Sequence, residues 1–253
     1  MKTKKLITFI LLFFVLLTSG LVHASGENEW DSELSYGGNV DVASRHVWRG
    51  QYQTQGVTWM PSIWAEFEGL KSSFWGRMPL ENVANQGEFH CVANTTSFRY
   101  VVDEKFGIMP GFITYFYPYV AGWSTTGEAY LTLDYTVGDF TLATGHYFDV
   151  IDYQGAYYGD FSIAYNNAFT DVFTFSTKLT TGWGNAEYNN TYTGYNELAS
   201  RFVGIEMSLK SQLSENLFVK PYVHYDVAPF SGMSNALGSR NVMSVGLVVG
   251  IHN

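Results

Sequence analysis

The sequence has a single cysteine and six prolines among 253 residues, and only 15% of its residues are charged. One cysteine cannot form an internal disulfide, which excludes a small fold held together by disulfides. Past residue 24, no apolar run approaches the roughly 20 residues that a membrane-spanning helix needs, which excludes a helical membrane protein. No Pro-rich or Gly-rich linker divides the chain, and this favours a single domain.

The N-terminus has the pattern of a secretory signal peptide. Lysines at positions 2, 4 and 5 precede an apolar stretch over residues 6–17, and Val22-His23-Ala24 supplies the small residues of a cleavage site. A membrane-spanning helix is the alternative, but the segment is short and polar residues follow it at once. We therefore expect a signal peptide over residues 1–24 and one domain over residues 25–253.

Acidic side chains dominate the exported part of the chain. The predicted signal peptide carries three lysines and no acids, so its removal leaves 11 basic and 23 acidic side chains and a formal net charge of −12. A nucleic-acid partner would require a basic patch or stripe. We therefore expect no nucleic acid among the partners.

Aromatic residues are abundant, at 17% of the chain, with 18 Tyr and 19 Phe. About twelve segments, from residues 34–45 to residues 241–251, alternate apolar and polar side chains with a period of two, which indicates strands. In the first segment, Val40 and Val42 share one face, and Asp41 lies on the other. This composition and this alternation fit either a soluble β-sandwich or a transmembrane β-barrel.

The lengths of the connections separate these two classes. The even-numbered connections are about two to five residues long and the odd-numbered ones roughly seven to seventeen. A transmembrane barrel has short periplasmic turns and longer outer loops, whereas a sandwich has no reason to alternate in this way. We predict an all-β fold, a closed antiparallel up-and-down transmembrane β-barrel of about twelve strands, in the outer membrane of a Gram-negative bacterium.

The last strand supports this prediction. Its Ser244-x-Gly246-x-x-Val249-x-Ile251 spacing resembles the assembly signal of outer-membrane barrels, although a terminal aromatic residue is missing. The partners that we expect are therefore outer-membrane lipid and lipopolysaccharide, the barrel-assembly machinery, and small hydrophilic solutes.

In a barrel, the polar face of each strand lines the lumen and the apolar face meets lipid. Ion-paired filling that stiffens the barrel is an alternative role for any one of the polar side chains. Among the strand positions, acids slightly outnumber bases, which predicts a weak cation preference. The predicted pore-lining residues are Asp41, Arg45, Arg49, Glu66, Glu68, Arg77, Arg99, Asp134, Asp160, Lys178, Glu206, Lys210, Lys220, His224 and Asp226.

The function that these features favour is a porin-like channel for passive diffusion of small hydrophilic solutes or ions. One alternative is a lipid hydrolase with a site on the outer wall, where His146 is the best candidate base. The positions facing His146 on the adjacent strands contain no serine, so we predict no catalytic residues and no enzyme. The histidines lack metal-ligand spacing, and we expect neither metal nor cofactor. A structural or adhesive barrel is the other alternative.

The stretch after the first strand contains Ser44, Arg49, Gly50, Gln53 and Thr54. At these positions it resembles the signature of the TorF family of outer-membrane porins from Gram-negative bacteria, from which His46 and Tyr52 depart. Two later blocks of that family are similar to Tyr115-Phe116-Tyr117-Pro118 and Gly127-Glu128-x-Tyr130. The resemblance implies an outer-membrane barrel with a channel role and supplies no substrate-binding residues.

The two arginines of this stretch lie where the first strand ends. We expect the segment to fold over or into the mouth of the barrel. Arg45 and Arg49 would then anchor it to acids such as Glu66 and Glu68.

Overall fold

The computed structural model describes residues 34–253, and the predicted signal peptide over residues 1–24 lies outside them. Twelve wall strands form one antiparallel sheet. They are β1 (Ser35–Ala43), β4 (Thr58–Phe67), β5 (Leu70–Pro79), β6 (Cys91–Phe98) with its continuation β7 (Tyr100–Val101), β8 (Phe106–Phe116), β9 (Thr126–Val137), β10 (Phe140–Asp149), β11 (Tyr157–Ala168), β12 (Phe173–Gly184), β13 (Ala199–Gln212), β14 (Leu217–Val227) and β15 (Asn241–His252).

The sheet closes on itself. Strand β1 pairs with β4 on one side and with the last strand, β15, on the other. Strand β6 pairs with both β5 and β8, so the ring has no free edge there. Every other wall strand pairs with the strands before and after it in the chain. The prediction of a closed up-and-down barrel of twelve strands is confirmed.

The period of two in the sequence becomes an inside and an outside. On β15, Met243, Leu247 and Ile251 are exposed on the outer surface, whereas Val242 and Ser244 are buried inside. Side chains opposite each other across the ladder share a face, so the same assignment carries around the ring from strand to strand. The outer surface is therefore apolar and the inner surface polar, as expected of strands that separate lipid from a lumen.

Short and long connections lie at opposite ends of the barrel. The short ones are residues 68–69, 102–105, 138–139, 169–172 and 213–216, and the long ones are residues 44–57, 80–90, 117–125, 150–156, 185–198 and 228–240. This is the alternation that the sequence predicted. Two long connections contain a short helix, α1 (Ala186–Thr193) and α2 (Ser231–Leu237). Within residues 34–253, no helix is long and apolar enough to cross a bilayer.

Helix α1 is fixed at both ends by the sequence around it. The side chain of Asn185 accepts a hydrogen bond from the backbone N–H of Tyr188, which satisfies a donor of the first turn. Gly194 ends the helix with φ of 74°, a left-handed conformation that glycine adopts without a Cβ penalty. This places the tyrosines of α1 over the barrel mouth, where Tyr188 is buried.

A β-bulge interrupts the pairing of β12 with β13. Gly182 lies opposite Phe202, but the next residue, Trp183, lies opposite Ser200, so Arg201 is an extra residue on its strand. A bulge re-aims the side chains beside it. Here Arg201 and Phe202 are both buried, and Arg201 is fully buried.

Candidate functional site

The first long connection inserts a small hairpin into the barrel. Strands β2 (Val47–Trp48) and β3 (Gln51–Tyr52) pair across a turn of two residues, Arg49 and Gly50. Both turn residues have positive φ, 51° and 79°, as a type I′ turn requires. We call residues 47–52 the inserted hairpin. A non-glycine residue at positive φ is uncommon and is often found where function demands it, so Arg49 is the notable residue of this turn.

Arg49 forms a two-pronged ion pair with Glu128 at the start of β9. Its Nη1 and Nη2 atoms donate to the two carboxylate oxygens at 2.6 and 2.7 Å. The two side chains are only 8% and 2% exposed. Nη1 also donates to the hydroxyl of Tyr188 at 3.1 Å, and the hydroxyl of Tyr115 donates to Glu128 at 3.1 Å. A buried ion pair stabilises only when its remaining polar atoms are also satisfied, and this pair meets that condition.

Aromatic rings enclose the Arg49 guanidinium. Its Cζ atom lies 4.2 Å from the ring centre of Tyr158, 4.6 Å from Trp48, 4.7 Å from Tyr147 and 5.5 Å from Tyr188. These distances are within the range of cation–π attraction. Burial alone would lower the pKa of Arg49, but the Glu128 carboxylate and nearby phenol oxygens raise that pKa well above its ordinary value. The arginine therefore stays charged.

The bulged Arg201 ties the inserted hairpin to helix α1. Its Nε atom donates to the carbonyl oxygen of Arg49 at 3.2 Å, and its Nη1 atom donates to Oδ1 of Asn189 at 2.9 Å. Asn189 in turn donates to the carbonyl oxygens of Gly184 and Glu197, both at 2.8 Å. The hairpin is therefore held by the barrel wall and by the loop above it.

These contacts fill one side of the interior, which we call the packed half: the space enclosed by the inner faces of β6 and β8–β12, α1 and the inserted hairpin. Its buried side chains include Tyr115, Tyr158, Tyr188, Tyr192 and Phe202, with Trp48 against them. The indole of Trp48 lies edge-on to Tyr192 with ring centres 5.3 Å apart. Close aromatic packing of this kind leaves little room for water around these rings.

The opposite side of the interior is open. A cavity of about 260 Å³ lies against β1, β4 and β13–β15, and the residues just after β1 border it at the long-loop end. We call this cavity the chamber. Its polar lining consists of Asp41, Arg45, His46, Glu206, Lys220, Tyr222, His224 and Ser244.

A tyrosine hydroxyl and a histidine contact the acids on this side of the barrel. The hydroxyl of Tyr222 lies 3.1 and 3.0 Å from the two carboxylate oxygens of Asp41 and donates to them. Its ring crosses the strand between them at Gly246, where a Cβ would overlap the ring. His224 lies between two other acids, with Nδ1 3.6 Å from Glu206 and Nε2 2.9 Å from Asp226.

Most predicted pore-lining residues lie on the inner face of the wall: Asp41, Glu66, Arg77, Asp134, Asp160, Lys178, Glu206, Lys210, Lys220, His224 and Asp226. Arg99 lies between β6 and β7 and donates to both carboxylate oxygens of Asp134 at 2.9 and 2.8 Å. Arg45 lies just past β1, at the edge of the chamber. Glu68 is not part of a wall strand: with φ of 47°, it is the first residue of the two-residue turn between β4 and β5.

The predicted anchoring of the two arginines to Glu66 and Glu68 is wrong. Glu66 lies opposite Ser35, at the short-turn end of the barrel, and its ion-pair partner is Lys71 at 3.5 Å. Arg45 and Arg49 follow β1 at the opposite, long-loop end of the barrel. Arg49 pairs with Glu128, and Arg45 donates to the hydroxyl of Tyr52 at 3.0 Å within its own loop.

Four inward charges of the wall strands were absent from the predicted set, and one of them, Asp149, lies opposite Glu128 at the end of β10. Glu128 shares the face of Thr132 and Asp134 in the alternation of its strand, so that pattern contains the signal for it. For Lys71, the sequence pattern predicts a turn over residues 69–71, whereas β5 already begins at Leu70 and includes Lys71. Arg201 points inward only because of the bulge, which the alternation does not reveal.

The outer-wall candidate, His146, lies opposite Leu131 and Gly159 and faces outward. Its Nδ1 atom is 2.9 Å from the hydroxyl of Tyr157, and its Nε2 atom is 3.4 Å from that of Thr144. In the part of the chain that the structure describes, no serine hydroxyl lies within hydrogen-bond distance of this ring. In the same residues, no three His, Cys, Asp or Glu side chains cluster closely enough to hold a metal ion.

The sequence matches no protein-family model and no curated protein. Solved structures do match. The NanC porin has a TM-score of 0.53 at 15% identity, covering 85% of this chain and 98% of its own. A KdgM porin in complex with disordered oligogalacturonate has a TM-score of 0.51 at 17% identity, and the match covers 86% of this chain and 97% of the porin. An outer-membrane channel from Pseudomonas putida F1 has a TM-score of 0.55 at 10% identity, and the match covers 90% of this chain and 100% of the channel. The chain therefore has the fold of bacterial outer-membrane porins and channels.

Proposed function

We propose that the protein is an outer-membrane channel for passive diffusion of small hydrophilic solutes or ions. The chamber carries this proposal: it is a polar space inside a closed barrel whose outer surface is apolar. A barrel of about eight strands is filled by its own side chains, and sixteen or more leave a wide water channel. Twelve strands leave room for a narrow path once half of the interior is packed.

The path that we propose follows the chamber along β13–β15 and β1. The inserted hairpin narrows the long-loop end, where Arg45, just before the hairpin, borders the path and donates to Tyr52. One of the similar porins is described in complex with an oligogalacturonate, so a hydrophilic solute of small cross-section is a reasonable class. Outer-membrane lipid and lipopolysaccharide around the barrel, and the assembly machinery that inserts it, are further partners that we propose from the fold.

Weak cation preference stays a prediction. The interior charges that the sequence missed include both signs, Glu128 as well as Lys71 and Arg201, and the chamber lining is itself mixed. Inward acids slightly outnumber Lys and Arg on the wall strands, but Arg45, Arg49 and Arg99 beyond the strand ends remove that excess, so the prediction rests on the wall strands alone. A reversal potential measured under a threefold KCl gradient tests it, and strong anion selectivity would contradict it.

Single-channel recording of the refolded protein in a planar bilayer tests the proposal itself. We expect discrete conductance steps, together with osmotic swelling of proteoliposomes in small sugars and amino acids. A barrel that inserts and folds but neither conducts nor admits these solutes would contradict it and favour a structural or adhesive role. Release of fatty acid from phospholipid by the same preparation, lost in His146→Ala, would favour the hydrolase alternative.

A further inference from the structure

We infer that the chamber is a binding site for a small zwitterionic solute, with Lys220 as the carboxylate contact and Asp41 as the ammonium contact. This inference rests on the proposed channel function and specifies its solute class. It is carried by the position of two opposite charges that face one cavity without pairing to each other.

The strand register places these two charges across the chamber. Asp41 on β1 and Lys220 on β14 both lie opposite Val248, which is on the strand between them. Neighbouring strands are about 4.8 Å apart, so the Cα atoms of Asp41 and Lys220, which are two strand spacings apart, are separated by about 10 Å. Both side chains line the chamber. The space above Val248 therefore has a carboxylate at one side and an ammonium at the other.

Neither charge forms an ion pair with another side chain of the described residues. Among residues 34–253, no ion pair within 4.0 Å and no side-chain hydrogen bond involves the Lys220 ammonium. Within the described residues, Asp41 accepts hydrogen bonds only from the neutral hydroxyl of Tyr222, which holds the carboxylate in place without neutralising it. A carboxylate has about four lone-pair sites, so Asp41 keeps acceptor capacity toward the chamber.

The size and charge of the chamber define the solute. The chamber volume of about 260 Å³ is smaller than that of a typical pocket for a drug-sized ligand. A small amino acid fits this volume. A simple anion would meet the acids Asp41 and Glu206, and a simple cation would meet Lys220 and Arg45, so each would face repulsion that a zwitterion avoids.

The test uses the mature protein in planar bilayers, with L-alanine as the zwitterionic probe and glycerol, acetate and methylammonium as comparison solutes. We expect L-alanine to reduce single-channel conductance with a saturable concentration dependence. Glycerol should reduce it only as far as it lowers the bulk conductivity. Lys220→Met and Asp41→Asn should each raise the half-blocking concentration about tenfold or more, the loss expected of one charge-assisted hydrogen bond.

Matched variants make the result specific. Lys210→Met removes an inner-face lysine that lies over Phe218 at 4.7 Å and does not line the chamber, and Asp160→Asn removes an inner-face acid of the packed half. Both should leave the block by L-alanine within about twofold. Lys220→Arg keeps the charge and should retain most of the block.

Two outcomes would overturn the inference. Equal effects of L-alanine and glycerol would mean that the chamber has no zwitterion site, and a stronger block by acetate that survives Asp41→Asn would make it an anion site. If the folded barrel does not conduct, the channel proposal fails separately, and calorimetric titration of L-alanine into the detergent-solubilised protein then decides. Heat of binding lost in Lys220→Met supports the site, and no heat in either protein rejects it.

Discussion

In the packed half of the barrel interior, the charge of Arg49 is matched by Glu128, four aromatic rings and a tyrosine hydroxyl, and its exposure falls to 8%. In the chamber, Lys220 and Asp41 face open space and leave each other unpaired. Both halves are lined by inward positions of one barrel wall, on β6 and β8–β12 in the packed half and on β1, β4 and β13–β15 in the chamber. The difference lies in what the long loops place against them: the inserted hairpin and α1 cover one side and leave the other uncovered.

Burial decides what a charge can do in each half. A charge removed from water costs several kcal/mol unless a partner and hydrogen bonds compensate it, so the packed half demands a complete set of contacts. A charge that stays hydrated costs little and gains little from a neighbour, so it remains available for a solute. The packed half is therefore expected to govern stability and pore width, and the chamber to govern which solutes bind.

Of the variants considered, Arg49→Ala should have the largest effect on the docking of the inserted hairpin. It leaves Glu128 buried without its partner, which costs about 3–5 kcal/mol, and we expect the inserted hairpin to leave the barrel. Conductance should rise, and chymotrypsin should cleave after Trp48 roughly 100- to 4,000-fold faster, because cleavage follows the population of the open state.

Arg45→Ala is the matched control, because Arg45 is an exposed arginine of the same connection. It should leave the cleavage rate nearly unchanged. If both variants behave alike, the hairpin is not held by the Arg49–Glu128 pair.

Gly50→Ala should have the next largest effect, about 2–3 kcal/mol against the inserted conformation. A side chain at φ of 79° is strained, and its Cβ would lie 2.7 Å from the Phe202 ring. Gly122→Ala supplies the control, since Gly122 has φ of 82° with nothing within 4 Å of a Cβ. Hydrogen exchange of the hairpin amides measures both variants, and equal acceleration in the two would remove the role of Phe202.

Tyr188→Phe should weaken the packed half by about 1.5 kcal/mol, the value of one hydrogen bond to a charged group. The hydroxyl accepts from Arg49 at 3.1 Å, whereas the ring itself stays in the aromatic packing. Tyr195→Phe is the comparison, because the Tyr195 hydroxyl donates to Glu197 at an exposed position. Chymotrypsin cleavage rates should therefore rise for the first variant and stay constant for the second.

The smallest effect concerns pH. Burial, with a smaller contribution from the Arg77 guanidinium, lowers the pKa of His46 from 6.5 to about 3. Its neutral form therefore favours the docked connection fully above about pH 6.5, and this contribution is lost as the pH falls from there toward 3. Between pH 7 and 5 we expect the docked connection to lose roughly 1 kcal/mol of stability. This is less than for a fully buried histidine, because His46 borders the chamber and its charge is partly screened by solvent.

His46→Gln should remove this part of the pH dependence of hairpin proteolysis, because glutamine does not titrate. His90→Gln, at an exposed connection elsewhere, should leave it intact. A docked state that becomes more stable on acidification would contradict the assigned direction of the His46 pKa.

Much of the wall could be predicted from the sequence. Strand alternation is a local property, so Asp41 and His224 could be placed on the inner face, and the alternating loop lengths predicted closure at twelve strands. Boundaries shifted by a few residues. The sequence pattern predicts that the third strand begins at Ser72, for example, but β5 begins at Leu70, because the type I′ turn over Glu68 and Gly69 needs only two residues.

The contents of the interior could not be predicted in this way. Arg49 and Glu128 are separated by 79 positions in the chain, and no local sequence pattern predicts that the tip of the first long loop contacts the start of β9. The bulge at Arg201 breaks the period that the prediction relied on. The chamber is the space left after these non-local contacts form, so its location follows from the fold alone.

Thiol accessibility tests the division of the interior most directly. In a Cys91→Ser background, Met60→Cys places a thiol in the chamber lining, and Ala93→Cys places one at a fully buried position of the packed half. We predict that a charged methanethiosulfonate reagent added during single-channel recording modifies the thiol at position 60 and lowers the conductance, and does not react at position 93. Reaction at position 93 with none at position 60 would place the solute path on the other side of the barrel and contradict the account.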